Sequence, residues 1–319
     1  MATDTVAPTS ISSVATRAVR LPPRRHAPLF GRDDQLATVA AAIDVGPVVT
    51  LVGPGGVGKT TLAVAVAHQV ADRFGDGAVF VALDALDDPA AVVPAVLDGV
   101  GLGSIAGEDD DGLAQLAAMD VLLVLDNCEH VIEVVAAMLD RPLAGRIRVL
   151  ATSRQRIGID GERVGVLAPL GADGVASDGV RMFVERAGAA GVVVDADDDA
   201  VAEIVRNVDG LPLAIEMAAA LVSSHGIDDL AGATRSEIDR MRSPRRAGPE
   251  RQRDLGRLID WSLDRLDRET RDAVHRLGVM EATFDARTAT SMLGAHGPRL
   301  VHDLVDASLL IADTGGRSA

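Results

Sequence analysis

Gly53, Gly58, Lys59 and Thr60 stand in G-x4-G-K-T spacing within VVTLVGPGGVGKTTLAVAVA, an arrangement suited to holding an anion. Gly55, Gly56 and Gly58 allow the backbone to curl until successive N–H groups converge, and a helix that begins there adds the positive end of its dipole. Phosphate oxygens fit such a nest. Lys59 would reach the β- and γ-phosphates of a nucleotide, while the Thr60 hydroxyl would ligate Mg2+, an ion that prefers oxygen donors and phosphate partners. The expected binding stretch runs through Gly53, Pro54, Gly55, Gly56, Val57, Gly58, Lys59, Thr60 and Thr61, with ATP or ADP and Mg2+ as cofactors. Lys59 is the sole lysine in a chain with 31 Lys and Arg residues. A chain that uses arginine everywhere else keeps the compact ammonium at this one position.

A second candidate is Asp126, which closes the apolar run VLLVLD. A carboxylate at the carboxyl edge of a sheet can hold Mg2+ directly or through water. Asn127 follows it, and a neutral amide cannot accept the proton of an attacking water. Hydrolysis is therefore expected to be slow, or Glu129 takes that part. Cys128 reads as a small buried residue rather than a nucleophile.

These groups need a scaffold, and the chain supplies a regular one. The short apolar runs VVTLVG (48–53), AVFVAL (78–83), VLLVLD (121–126) and RVLATS (148–153) alternate with amphipathic stretches at Thr60–Ala71, Pro89–Gly99 and Cys128–Asp140. Runs apolar on both faces suit parallel strands covered by helices, so the rhythm predicts a doubly wound α/β domain with its ligand at the carboxyl ends of the strands. Helices are expected at Val180–Ala190, Asp198–Val208 and Leu213–Ser223, then near Leu255–Leu266, Arg268–Val279, Ala286–Met292 and Leu300–Ala307, with a last strand LLIA at 309–312. The expected organisation is an unstructured arm (1–27), a nucleotide-binding domain (28–170), a helical domain (171–234), an Arg-rich linker (235–254) and a partial winged-helix domain (255–319).

Composition narrows the partners. A net charge of −16 repels nucleic acid and anionic lipid alike, and no apolar run is long enough for a membrane span. One cysteine cannot form an internal disulfide, and the N-terminus has no secretory-type apolar core, so a cytoplasmic protein is expected.

The ordered motifs also resemble the NB-ARC-like, signal-transducing ATPases of the STAND class, in the version found within bacterial LuxR- and SARP-like transcriptional regulators. The resemblance spans about residues 24–314. LFGRDDQL (29–36) is similar to the family's VGRxxEL segment, which implies that Phe30, Gly31 and Arg32 lie against the adenine. VLATSR (149–154) implies that Arg154 is a sensor arginine for the γ-phosphate, and GLPLAIEMAA (210–219) that Pro212 packs near the adenine. LIDWSLDRLD (258–267) and LVDASLLIAD (304–313) are similar to the start and end of the family's winged-helix unit, with Trp261 a core residue. The family's nucleotide-sensing histidine, helical repeats and N-terminal effector domain are not matched, which reads as a fragment or a stripped-down member.

The expected function is thus an ATP/ADP switch with slow Mg2+-dependent hydrolysis, set in a transcriptional regulator and acting through ATP-dependent self-assembly or a protein partner. Two alternatives stand beside it. One is DNA binding by the winged helix, helped by eight arginines between Arg235 and Arg257, although four acids leave that stretch at about +4. The other is a metabolic P-loop kinase or ATPase, for which no substrate-specific constellation appears.

Overall fold

Five parallel strands form one sheet in the order β2-β3-β4-β1-β5: β1 (Val48–Val52), β2 (Gly77–Ala82), β3 (Val121–Asp126), β4 (Arg148–Ser153) and β5 (Glu162–Val166). The computed structural model describes residues 21–23, 28–86, 88–102, 109–140, 147–171, 177–232, 267–280 and 285–306. They fall into two units. The described parts of Met1–Pro28, Arg32–Gly53 and Lys59–Val166 make up the first; those of Leu29–Gly31, Pro54–Gly58 and Leu167–Ala319 make up the second.

In the first unit, Val121 to Leu125 of β3 are all buried, as expected for a central parallel strand with helices on both faces. Helices α1 (Asp33–Val45) and α2 (Lys59–Val70) pack against β1, and α2 also meets β3 and β4. Leu123, Leu125, Val149 and Ala151 alternate to the other face, where they join α3 (Val92–Val100) and α5 (Ile132–Leu139) in a shared apolar core. Helix α4 (Asp109–Ala117) packs beside α3. Asp33 and Asp34 in the first turn of α1 complement its dipole.

Several sequence expectations need correction here. The stretch expected as one helix over Pro89–Gly99 opens with a 3-10 turn at Pro89–Ala91, because Asp88 Oδ1 accepts the Ala90 N–H at 2.9 Å. The helix expected over Cys128–Asp140 is likewise divided into a 3-10 turn at Cys128–His130 and then α5. Asn127 enters that turn in the left-handed region (φ 65°), and Val131 leaves it with φ −122° and ψ 22°. Helices α1 and α4 and strand β5 were not anticipated. β5 is an edge strand with Val164 and Val166 exposed, so it lacks the continuous apolar run that marks its buried neighbours.

In the second unit, α6 (Asp178–Ala189) packs against α7 (Asp199–Asn207) and α8 (Pro212–His225). Ser177 and Asp198 cap α6 and α7 by accepting the N–H groups of Val180 and Ala200. A Cβ at Gly179 would come within 2.6 Å of Val205 Cγ1, so the α6 backbone at this point approaches α7 more closely than any other residue type allows. Farther along, α9 (Arg268–Leu277), α10 (Ala286–Leu293) and α11 (Gly297–Asp306) bury Ala273, Leu277, Ala289, Leu293, Leu300 and Leu304 together. Asp267 and Asp285 cap α9 and α10 through the N–H groups of Thr270 and Thr288. The Arg-rich linker, Trp261, the helix expected at Leu255–Leu266 and the strand expected at 309–312 lie outside the described residues, as does most of the N-terminal arm.

Candidate functional site

β1 ends at Val52 and α2 begins at Lys59, so residues 53–58 make the turn at the carboxyl edge of the sheet. Gly56 (φ 75°) and Gly58 (φ 94°) lie where side-chain-bearing residues are strained. At Gly58 a Cβ would meet nothing within 4 Å. That glycine is demanded by backbone conformation, and among the described residues nothing crowds the position a side chain would take. Val57 is fully buried and anchors the turn.

Lys59 is only 9% exposed, and its Nζ donates to the Gly53 carbonyl at 2.9 Å. Burial holds this ammonium below its ordinary value. Glu129 and Asp126 pull it back up, and Arg154 pushes it further down. A buried cation at the mouth of a glycine turn is suited to gaining an anionic partner.

The sheet register brings the remaining polar groups together. Asp126, at the end of β3, accepts two hydroxyl hydrogen bonds on Oδ1: from Thr60 at 2.8 Å and from Thr152 at 2.6 Å. Thr152 Oγ1 in turn accepts the Asn127 N–H at 2.9 Å. Glu129 is presented by the 3-10 turn; Arg154 Nε donates to its Oε1 at 3.0 Å, while its Oε2 is buried without a hydrogen-bond partner among the described residues. Arg154 has a half-exposed side chain. Cys128 is buried and its thiol is pushed up to about 12, by desolvation first and then by Asp126 and Glu129. A thiol so raised carries little of the reactive thiolate at neutral pH.

The donor set near Thr60 fits Mg2+. Both Thr60 and Asp126 offer hard oxygens, and among the described residues no group of three or more His, Cys, Asp or Glu side chains could cage an ion. Such an ion would draw its remaining ligands from phosphate and water, as Mg2+ does.

Within the second unit, Gly56 O accepts the Leu213 N–H at 3.1 Å, and a Cβ at Gly56 would lie 3.0 Å from Leu213 Cβ. Pro212 opens α8 at its first position, after Asp209 and Gly210 have both taken positive φ. The glycine turn is therefore tied to the residue following Pro212. Gly31 (φ 58°) would clash with Asp178 if it carried a Cβ, and the Arg181 guanidinium lies 5.9 Å from the Phe30 ring centroid. In the first unit, Arg32 is buried and its carbonyl accepts the Leu36 N–H at the start of α1.

Sequence reasoning did not single out Thr152, Leu213, Asp178 or Arg181. Thr152 left one readable sign, a hydroxyl at the carboxyl end of an otherwise apolar strand. The other three become visible only through contacts.

The family model described as the AAA ATPase domain matches residues 28–154. Uncharacterized protein Rv0894 of Mycobacterium tuberculosis is 34% identical over 276 residues, covering 82% of this chain and 68% of Rv0894. Rv0890c of the same organism, named as an HTH-type transcriptional regulator, is 33% identical over 289 residues, covering 83% of this chain and 31% of Rv0890c. Among solved structures, the Walker-type ATPase paby2304 of Pyrococcus abyssi is similar at 12% identity and a TM-score of 0.48, with 93% of this chain and 95% of that chain covered.

Proposed function

Because this chain belongs to the family of Rv0894 and carries an AAA ATPase domain at residues 28–154, we propose that it is a nucleotide-operated switch, binding ATP or ADP with Mg2+ and hydrolysing ATP slowly. The observation that carries this reading is the grouping of a buried Lys59 ammonium with the Thr60–Asp126 hydrogen bond at the carboxyl edge of a parallel sheet.

Each residue then has a task. Backbone N–H groups of residues 54–58 cradle phosphate, and Lys59 exchanges the Gly53 carbonyl for phosphate oxygens. Thr60 and Asp126 would hold Mg2+, which when bound would neutralise charge on the phosphates. Glu129 orients the attacking water through Oε2, a buried acceptor without a partner among the described residues. Arg154 pairs with the other oxygen of the same carboxylate. A γ-phosphate competes for Arg154, so ATP and ADP leave Glu129 differently restrained, and differential binding is what a switch requires. Phe30, Gly31, Arg32 and Pro212 are assigned to the adenine end on the NB-ARC-like pattern.

The wider reading is a STAND-type element of a transcriptional regulator, with a nucleotide domain at 28–170, a helical domain at 171–234 and a winged helix within 255–319. The name of Rv0890c supports regulation, although this chain spans about a third of that protein. A charge of −16 favours ATP-dependent self-assembly or a protein partner over direct DNA contact. A cytoplasmic location fits the regulatory role, and among the described residues no helix is long and apolar enough to cross a membrane.

The test is direct. Nucleotide released from the purified protein is identified by ion-exchange chromatography, and binding of a fluorescent ATP analogue is compared between wild type and Lys59→Ala. The expected result is tight binding by wild type and at least a hundredfold loss in the variant, with helical circular dichroism retained. Equal binding by the two proteins refutes the assignment.

A further inference from the structure

Thr152 lies on β4, the strand between the one that carries Asp126 and the one that leads into the glycine turn. Leu125 of β3 pairs with Ala151, and Leu51 of β1 pairs with Thr152. It is 1% exposed. A buried hydroxyl in a central strand must spend its hydrogen-bonding capacity locally, and here every partner belongs to the site. The single hydroxyl proton goes to Asp126 Oδ1 at 2.6 Å, and a lone pair takes the Asn127 N–H at 2.9 Å. Because the amide can only donate, the hydroxyl cannot turn around: its proton is committed to the carboxylate. Asn127 is the residue that leaves β3 in the left-handed conformation, so the same hydroxyl fixes both the side chain of Asp126 and the backbone turn that follows it.

We infer that Thr152 is a positioning residue for the Mg2+-binding carboxylate: it holds Asp126 Oδ1 where the Thr60 hydroxyl also meets it, so that the two oxygen donors to the ion are aligned before the ion arrives. The inference rests on the nucleotide-switch reading above. Groups that orient a metal ligand without touching the metal govern affinity for the ion by roughly 10–100-fold. Thr152 acts on the ion through Asp126, and therefore on Mg2+ dependence more than on nucleotide affinity itself.

The experiment uses the full chain, a fluorescent ADP analogue and a Mg2+ titration. Thr152→Val keeps the shape of the side chain while removing both hydrogen bonds; Thr152→Ser retains the hydroxyl. In EDTA, all three proteins are expected to bind the analogue with affinities within about twofold of each other. On adding Mg2+, the concentration giving half of the metal-dependent tightening is expected to rise at least tenfold in Thr152→Val and to stay near wild type in Thr152→Ser. If the valine variant does not fold, Thr152→Ala is read in the same way. A folded hydroxyl-free variant with wild-type Mg2+ dependence overturns the inference, and so does a loss in EDTA as large as the loss in Mg2+. Wild-type protein that binds no nucleotide at any Mg2+ concentration overturns the switch reading and this inference together, whereas binding by wild type matched by Thr152→Val overturns the inference alone.

Discussion

Comparing Gly56→Ala with Gly58→Ala tests whether the glycine turn is held by its tie to α8 or by its own backbone alone. Both positions have positive φ, at 75° and 94°. An L-residue there costs about 1–2 kcal/mol for the left-handed backbone, and for Gly58→Ala that is the whole effect, since the added methyl meets nothing within 4 Å. At Gly56 two further effects enter. The methyl arrives 3.0 Å from Leu213 Cβ, which must give way, and overpacking of this kind costs about 1–3 kcal/mol. The movement also stretches the Leu213 N–H bond to Gly56 O, now 3.1 Å, and a backbone hydrogen bond contributes about 0.5–1.5 kcal/mol. One shift relieves the clash and lengthens the bond, so these effects overlap, and Gly56→Ala is expected to cost about 2–4 kcal/mol in total. Urea unfolding followed by circular dichroism provides the measurement. With a slope near 2 kcal/mol/M, the Gly56→Ala midpoint should lie roughly 0.5–1 M below that of Gly58→Ala. Equal midpoints would refute the reasoning, because they would mean that the Leu213 contact contributes nothing beyond backbone strain.

Three other outcomes follow from the same geometry. Glu129→Gln cannot keep the ion pair with Arg154 or accept a proton from water; it is expected to lower ATP turnover at least tenfold while leaving nucleotide binding within a few-fold, and unchanged turnover in a phosphate-release assay removes Glu129 from the chemistry. Burial holds the Lys59 ammonium below its ordinary 10.5, so the unfolded chain binds more protons at this site between the lowered value and 10.5. Stability from this group is therefore fully present above 10.5 and lost as pH falls through the folded value. Relative to Lys59→Met, the wild type should gain stability as pH rises across that window, and a difference in unfolding free energy that stays flat with pH contradicts the burial argument. Finally, the Cys128 thiol, raised to about 12, should resist iodoacetamide at pH 8 in the folded protein and alkylate within minutes in urea; rapid labelling of the native chain, read by mass spectrometry, would mean that the turn after β3 opens.

The sequence alone was sufficient for the glycine turn, the four buried strands and the acid closing β3, and each for a local reason. Glycine spacing, a continuous apolar run and a polar residue at its end are properties of contiguous residues. Helix ends were less legible where a side chain redirected the backbone, as Asp88 and Asn127 do. β5 escaped notice because an edge strand does not need the apolar run that betrays a central one.

Tertiary structure alone decided how those pieces meet. Thr152 becomes part of the site because parallel pairing sets β4 beside β3 in one register, and a slip by one residue would turn its hydroxyl to the opposite face of the sheet. Gly56 meets Leu213 across a long stretch of chain. Glu129 finds Arg154 only because a 3-10 turn carries it out of line with the strand. Composition and periodicity state which residues can form a strand, a turn or a helix cap. Which hydroxyl reaches which carboxylate depends on distances of about 3 Å between residues far apart in the chain, and only the packed register fixes those.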